Sequence, residues 1–501
     1  MSDFEIYGLL AVAMAVCFAN WRTGVFICFV VGFLQDPVRK LMPGEPVFMT
    51  ALVGAPLAMT LLGAHLRRVR ISFKPIHSWN KSLRIPLGLF VLLVLVQTVV
   101  GFIKTGSAII AGIGMLAYLA PLPAILLGYQ FSRSARDIIR LIKFYVLGSI
   151  LMVSGIYLSY LGFDWKMLIS VGAGLIAFAP TGEKLALYAG FFRSPEIAAW
   201  HAATSVCLLI ILAVVIRRQT LFKLGAGALA PFLLGAILFT GRRKFLVEIF
   251  LFLSSYGLLL LWSQRTAIKS AALMRLALIF ATGVAAASVG YIFLASDVTT
   301  TNVLPYYTRG ASVQQDVGER VSVMTLESFQ YVIAQNGVLG SGAGTGSQGA
   351  QHFGGGSRLV GGSAEGGIAK VLAELGVPGL VLLLWLAISL VRYLLSVLSV
   401  IKEGNPQLSK LAFGLLAFLV TNGFVYAVAH QVFGDPFVLI ILGFFLGFVM
   451  AMPRIVQKSE VLAARAADAA LASSDSMQAR PLADAIGRYS VPGGGMNRII
   501  P

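Results

Sequence analysis

Charge is what this chain of 501 residues has least of: 12% of its residues are charged, against 58% hydrophobic, too few for the surface of a soluble domain of this size. That scarcity excludes a single water-soluble core and leaves a polytopic membrane protein. Cysteine is scarce too. Cys17, Cys28 and Cys207 fall singly inside apolar runs, so neither a disulfide framework nor a thiolate metal site is expected. The N-terminus lacks the basic n-region of a secretory signal, since Asp3 and Glu5 precede the first apolar run, and a cleaved leader is not expected. No lysine follows the glycine-rich stretch in Walker fashion, and His201, His352 and His430 show no ligand spacing. No cofactor and no metal are expected. The net charge of +18 would point to nucleic acid in a soluble chain. In a membrane chain basic residues first set topology and meet anionic headgroups, so nucleic acid is not an expected partner and the lipid bilayer is.

What the chain does have is apolar runs near the ~20 residues that cross a bilayer. They fall at about 46–64, 84–103, 106–128, 138–162, 194–216, 221–239, 244–262, 272–295, 378–400, 408–430 and 436–453. The stretch 6–36 is interrupted by Asn20-Trp21-Arg22 and reads as one long crossing or two short ones. The fold class is therefore an all-α polytopic membrane protein of about 12 transmembrane helices with a large late loop. Counting back from a cytoplasmic tail marked by Arg454, Lys458 and Arg465 puts 67–84, 133–143, 217–223, 265–275 and 392–410 inside. About two-thirds of the Lys and Arg residues then lie inside, as the positive-inside rule requires. The organisation reads as N-terminal spans in 1–162, a first outer segment at 163–193, central spans in 194–295, a large outer loop at 296–377, C-terminal spans in 378–453, and a disordered cytoplasmic tail at 454–501.

A minority of basic residues stands on the wrong side of that topology: Lys166, Lys184, Arg193, Arg242-Arg243-Lys244, Arg309, Arg320 and Arg358. Guanidinium grips phosphate in a bidentate fork and keeps its charge at any relevant pH, so these residues point to an anion site or to lipid phosphates. Arg193, Glu196 and Trp200 fall on one helical face and could bind a sugar diphosphate or anchor the span at the interface. Glu248, one turn after Lys244, reads as a Lys–Glu pair at the mouth of its span.

The large loop is rich in glycine between 340 and 362, where the backbone can adopt positive φ and lie close to an extended polar ligand. The match of Gly344, Gly346 and Gly349 to GxGxxG lacks the preceding strand and is set aside as chance. From Ala364 a helical period runs to Gly376, where Gly-Val-Pro-Gly breaks it. On an ideal wheel Ile368, Ala369, Leu372 and Gly376 share one face with Glu365, while Lys370 and Glu374 lie opposite as a solvated pair. Glu365 has no such local partner. It is either a helix-start carboxylate favoured by the macrodipole or a group placed to move a proton.

These residues carry a resemblance. GSGAG at 340–344, LAELGVPG at 372–379, GFFRSPEIAAW at 190–200 and FTGRRKFL at 239–246 are similar to signature segments of the O-antigen ligase and O-antigen polymerase superfamily, over roughly 170–450. The resemblance implies a membrane glycosyltransferase of the GT-C architecture in the bacterial inner membrane, with its active site on the periplasmic side. Its substrate would be an undecaprenyl-diphosphate-linked glycan, and a chain-length regulator and flippase of the same pathway are the protein partners it suggests. It implies no metal, diphosphate binding by Arg242 or Arg243 and by Arg320, and Glu365 as the base, while Arg193 is a diphosphate candidate on its helical-face reading. Glu196, Trp200, His352 and Arg309 are the candidate glycan contacts. Ligase-type members often carry His-Asn where Glu365-Gly366 stands, and Glu196 replaces an asparagine, which favours a polysaccharide polymerase over a lipid A core ligase. The competing reading is a transporter or flippase of an anionic lipid or solute, whose mark would be interrupted helices in two similar halves. No such internal repeat is visible.

Overall fold

A computed structural model of the chain describes residues 3–69, 81–171, 176–178, 182, 184–216, 220–262, 304–311, 328–347, 366–403, 406–458 and 461. Glu365, Arg320, His352, Arg358, the expected span at 272–295, most of the large loop and nearly all of the tail lie outside the described residues. The chain divides into two units after Met452, and the first of them carries the helical bundle and the candidate site.

The helices form where the apolar runs predict them. They are α1 (Asp3–Ala19), α2 (Trp21–Leu41), α3 (Gly54–Leu66), α4 (Lys81–Thr105), α5 (Ala108–Leu119), α6 (Pro121–Phe131), α7 (Ala135–Tyr160), α8 (Pro195–Val215), α9 (Thr220–Phe239), α10 (Lys244–Trp262), α11 (Leu304–Ala311), α12 (Ser328–Asn336), α13 (Gly367–Glu403), α14 (Pro406–Val428) and α15 (Pro436–Lys458). Nine helical segments among the described residues are long and apolar enough to cross a membrane, so the chain is a helical polytopic membrane protein. The stretch 6–36 resolves into two helices. Asn20 takes an extended conformation and its side chain caps α2 by accepting from the amides of Arg22 and Thr23, and α1 and α2 then pack on each other and on α3.

One departure from an all-helical chain lies in the segment after α7. Strands β1 (Ile176–Phe178) and β2 (Lys184–Ala186) form an antiparallel pair in which Ile176 faces Ala186 and Phe178 faces Lys184.

α8 lies at the centre. Every residue from Pro195 to Val215 is buried, and the helix packs on α7, α9, α10 and α14. A helix apolar all round is the sequence counterpart of that position. Where helices cross most closely, small residues permit it. On α15, Gly443 and Gly447 lie so near α6 that added Cβ atoms would stand 2.5 Å and 2.3 Å from the carbonyl oxygens of Pro121 and Ile125.

Candidate functional site

Two charged clusters sit where the connecting segments meet the helix ends, and both are built around the start of α8. Ser194 caps that helix by accepting from the amide of Ile197, and Pro195 follows at its first position, the residue whose missing N–H costs nothing there. The cap fixes Arg193 on one side and Glu196 on the other.

Arg193 is held by two carboxylates. Its Nη1 lies 2.7 Å from Asp435 Oδ2 and 3.4 Å from Asp36 Oδ1, and its amide donates to Asp36 Oδ2 at 3.0 Å. Burial works against the charged guanidinium, but Asp435 and Asp36 outweigh it and hold its pKa above the ordinary arginine value. Asp435 also caps α15 through the amides of Phe437 and Val438. Beside this group the Lys40 ammonium donates to the carbonyls of Met167, Gly190 and Phe192 at 3.1, 2.8 and 2.7 Å. A phosphate at Arg193 would meet two carboxylates, so the geometry gives this arginine a structural role in place of the diphosphate contact expected of it. Arg193→Ala would leave two buried acids without their cation, at a cost of about 3–5 kcal/mol. A thermal melt of the detergent-solubilised protein measures this, with Asp36→Asn added to Arg193→Ala expected to recover part of the loss.

On the other side of the cap, Glu196 is buried and forms ion pairs with Arg242, at 3.1 Å, and with Lys244. Lys244 also donates to Gln431 Oε1 at 2.9 Å. Glu196 is therefore engaged by the basic corner between α9 and α10, which is tied down so closely that it positions that corner rather than a sugar. The corner turns at Gly241, with φ +64°, whose carbonyl accepts from Arg309 Nε at 3.4 Å. The other arm of Arg309 donates to the carbonyl of Phe178 in β1. Tyr306, one turn earlier on α11, donates to the carbonyl of Ala186 in β2 at 2.6 Å.

The result is a small cleft lined by Arg242, Arg243 and Arg309 together with Tyr306, Gly241, Gly310, Ile237, Leu238 and Leu246. The adjacent Arg242 and Arg243 and the distant Arg309, expected as a glycan contact, thus share one wall. The crease is closed to a water molecule as it stands, and Arg242 and Arg309 are engaged by Glu196 and by two backbone carbonyls; what it offers is three guanidinium groups on one wall, a concentration of positive charge that favours anions at its outer edge.

Trp200 takes a different place from the one its helical face predicts. It is fully buried and its Nε1 donates to Asn422 Oδ1 at 2.8 Å. Asn422 in turn donates to Glu248 at 3.3 Å. Trp200 is a core residue because α8 is covered on all sides. Glu248 is likewise buried within the bundle, its hydrogen-bond donor being Asn422, while the ion pair of Lys244 is made to Glu196. His201 is buried too, with Nδ1 2.8 Å from the Tyr145 hydroxyl and its ring stacked on Phe192.

The glycine run and the short helix at the start of α13 prove to be halves of one joint. Gly376 breaks α13 with φ +69°, leaving the carbonyls of Ala373 and Glu374 without helical partners. The amides of Ser341 and Gly342 donate to them at 2.8 and 3.0 Å, and the amide of Val377 donates to Val338. The run itself is wedged between α4 and α5. Ala343 donates to the Gln97 carbonyl, Gln97 Nε2 to Leu339, and Lys104 to Gly340. Residues 340–347 therefore serve as packed backbone rather than as a wrap for an extended ligand.

The solvated Lys370–Glu374 pair is corrected by the same contacts. Both residues are buried; Glu374 accepts from the Tyr118 hydroxyl at 2.7 Å and the Gly346 amide at 3.1 Å, while the Lys370 ammonium lies over the Tyr118 ring. The helix is enclosed on both faces, by α12 on one side and α4 on the other, so a helical wheel could not tell a solvent face from a second interior one. A larger groove, lined by Leu87, Phe90, Leu122, Leu383, Leu386 and others, passes Tyr118 and Tyr426 but offers almost only carbon.

Immediately before this helix stands Glu365, outside the described residues. Its neighbour Gly366 packs against the carbonyl of Ala427 at the end of α14, and Gly367 against Tyr426. Gln431, which receives Lys244, follows four residues after Ala427. Asp36, Lys40, Tyr118, Asn422, Gln431 and Asp435 are not singled out by the sequence. Only Asp435 carries a local signal there, as a capping residue directly before Pro436. No family model matches the sequence, and comparison with curated proteins gives no significant match from which a family could be assigned.

Proposed function

We propose that this chain is a metal-independent membrane glycosyltransferase that polymerises, or ligates, undecaprenyl-diphosphate-linked oligosaccharide units at the periplasmic face of the bacterial inner membrane during surface or exopolysaccharide synthesis. The observation that carries the reading is that Arg242, Arg243 and Arg309 line one crease. A lipid diphosphate is the compact polyanion available at a membrane surface, and it is also the leaving group of this reaction.

In the reaction an acceptor hydroxyl oxygen attacks the anomeric carbon. The new glycosidic C–O bond forms as the C–O bond to the diphosphate breaks, and the electron pair leaves on the diphosphate oxygen. Arginines arrayed before the substrate arrives stabilise that developing charge without reorganisation. Glu365 takes the hydroxyl proton. Its neighbour Gly366 packs against the carbonyl of Ala427, four residues before Gln431, which accepts from Lys244 of the basic corner. Arg320, early in the large loop, is the further diphosphate contact that the resemblance implies.

The test is incubation of the purified protein in nanodiscs with undecaprenyl-diphosphate-linked repeat units, products being resolved by size. A ladder of lengthened glycans that disappears in Glu365→Gln and Arg320→Ala, with unchanged expression and melting temperature, is the expected result. Absence of any covalent product from a verified substrate, with lipid A core also offered as acceptor, would overturn it in favour of transport of an anionic lipid.

A further inference from the structure

The segment after α7 displays apolar side chains that no span accounts for. On α7 the exposed residues Leu147 and Leu151 lie on one face with Ser154 and Leu158, and the same face ends at Leu161, which is 69% exposed. Beyond the helix further apolar side chains are exposed. Phe163 and Trp165 meet edge to face at 5.7 Å and both remain about half exposed. In the hairpin, Ile176 and Phe178 point to one face with their cross-strand partners Ala186 and Lys184. All four are exposed on that face, whereas Ala177 and Leu185 are buried on the other.

The backbone presenting these groups is pinned. Lys40 donates to the carbonyl of Met167, and Lys166 donates back to the carbonyl of Leu41. Arg309 and Tyr306 hold the carbonyls of Phe178 and Ala186. Fixed, exposed phenylalanine, tryptophan and isoleucine with lysines beside them, at the ends of apolar helices, have the composition of an interfacial anchor.

We propose that the strip formed by Phe163, Trp165, Ile176 and Phe178 inserts into the headgroup–acyl boundary of the bilayer, with Lys184 reaching anionic lipid phosphates. Phe163 and Trp165 follow directly on Leu161 at the end of α7, and the hairpin is tied to the end of α9 by the Tyr188 amide, which donates to the carbonyl of Phe239 at 3.2 Å; both therefore stand at the ends of apolar spans, which commits the occupant to lipid. Arg309 joins the hairpin carbonyl of Phe178 to the carbonyl of Gly241. Through that link the anchored hairpin holds the arginine cleft at headgroup depth.

This inference does not depend on the reaction and can be tested without it. The full chain is reconstituted in nanodiscs containing phosphatidylglycerol, with an environment-sensitive NBD label on Phe178→Cys or, separately, on Ile176→Cys. The native cysteines are buried, and a labelling control on the parent chain corrects for any reaction there. Insertion to a depth of about 5–10 Å predicts blue-shifted emission from both labels. Chains brominated near the headgroup should quench it strongly, chains brominated near the methyl end less, and aqueous iodide scarcely at all. Quenching by iodide and not by brominated lipid would overturn the proposal by placing the face in water. Protection from both quenchers would also overturn it, by showing that protein covers the face.

Discussion

Arg242→Ala is expected to lower the initial rate of glycan transfer about 100-fold, the loss typical when one preorganised donor to a developing anion is removed. The effect should fall on kcat more than on KM, because the leaving diphosphate carries most of its new charge in the transition state. Folding should survive, since Glu196 retains its pair with Lys244 and Lys244 keeps Gln431. Arg309→Lys is a finer probe of the same cleft. It preserves the charge but cannot reach the carbonyls of both Gly241 and Phe178, which the two arms of the guanidinium hold now. A loss of about tenfold is expected from this loss of geometry. Rates measured at saturating and limiting donor, beside a melting curve for each variant, check both expectations. Equal activity in all three proteins would remove the cleft from the reaction.

Gly344→Ala should be far more damaging to folding than its size implies. Gly344 has φ +93°, and a Cβ there would stand 2.1 Å from the carbonyl oxygen of Ile110. Its opposite number is as tight: a Cβ on Gly114 would lie 2.2 Å from the amide nitrogen of Gly344. Left-handed strain and overpacking together amount to roughly 2–5 kcal/mol, and both α4–α5 and the start of α13 depend on this joint. Gly106→Ala serves as the control. Its φ is +66° with nothing within 4 Å, so only the conformational part, about 1–2 kcal/mol, should appear. Thermal melting followed by size-exclusion chromatography separates the two. If Gly344→Ala melts with Gly106→Ala, the joint is not as closely packed as its geometry states.

The joint also shows what can be read in the residues and what cannot. The spans are legible because an apolar run of bilayer length can hardly serve another purpose, and the break at Gly376 is legible because Gly-Val-Pro-Gly ends a helix for local reasons. Asn20 interrupts the first run visibly, and its capping geometry settles the interruption as two helices. Lys370 and Glu374 mislead because their i, i+4 spacing makes a complete local explanation. Glu374 instead meets Tyr118, which is 256 residues away.

The candidate site divides in the same way. Arginine on the side that the charge count assigns to the outside is a signal in itself, and it singles out Arg242, Arg243 and Arg309 without revealing that they line one crease. Which arginine is neutralised is decided by tertiary partners. Asp36 lies 157 residues from Arg193, and nothing around either residue announces the other. The helical face of Trp200 describes its own helix alone, whereas its fate depends on four helices that enclose α8. The hairpin is invisible for a simpler reason: its strands are three residues each, too short for alternation to register.

The central claim is that the cleft of Arg242, Arg243 and Arg309 receives the diphosphate of a lipid-linked glycan. The most direct measurement is photo-crosslinking of the nanodisc-embedded protein with a polyprenyl-diphosphate glycan whose first sugar carries a diazirine, mapped by mass spectrometry. The account predicts crosslinks to 241–246 and 306–310 that excess unlabelled polyprenyl diphosphate competes away and that Arg242→Ala weakens. Competed crosslinks confined to other segments, with these two stretches unlabelled, would contradict it.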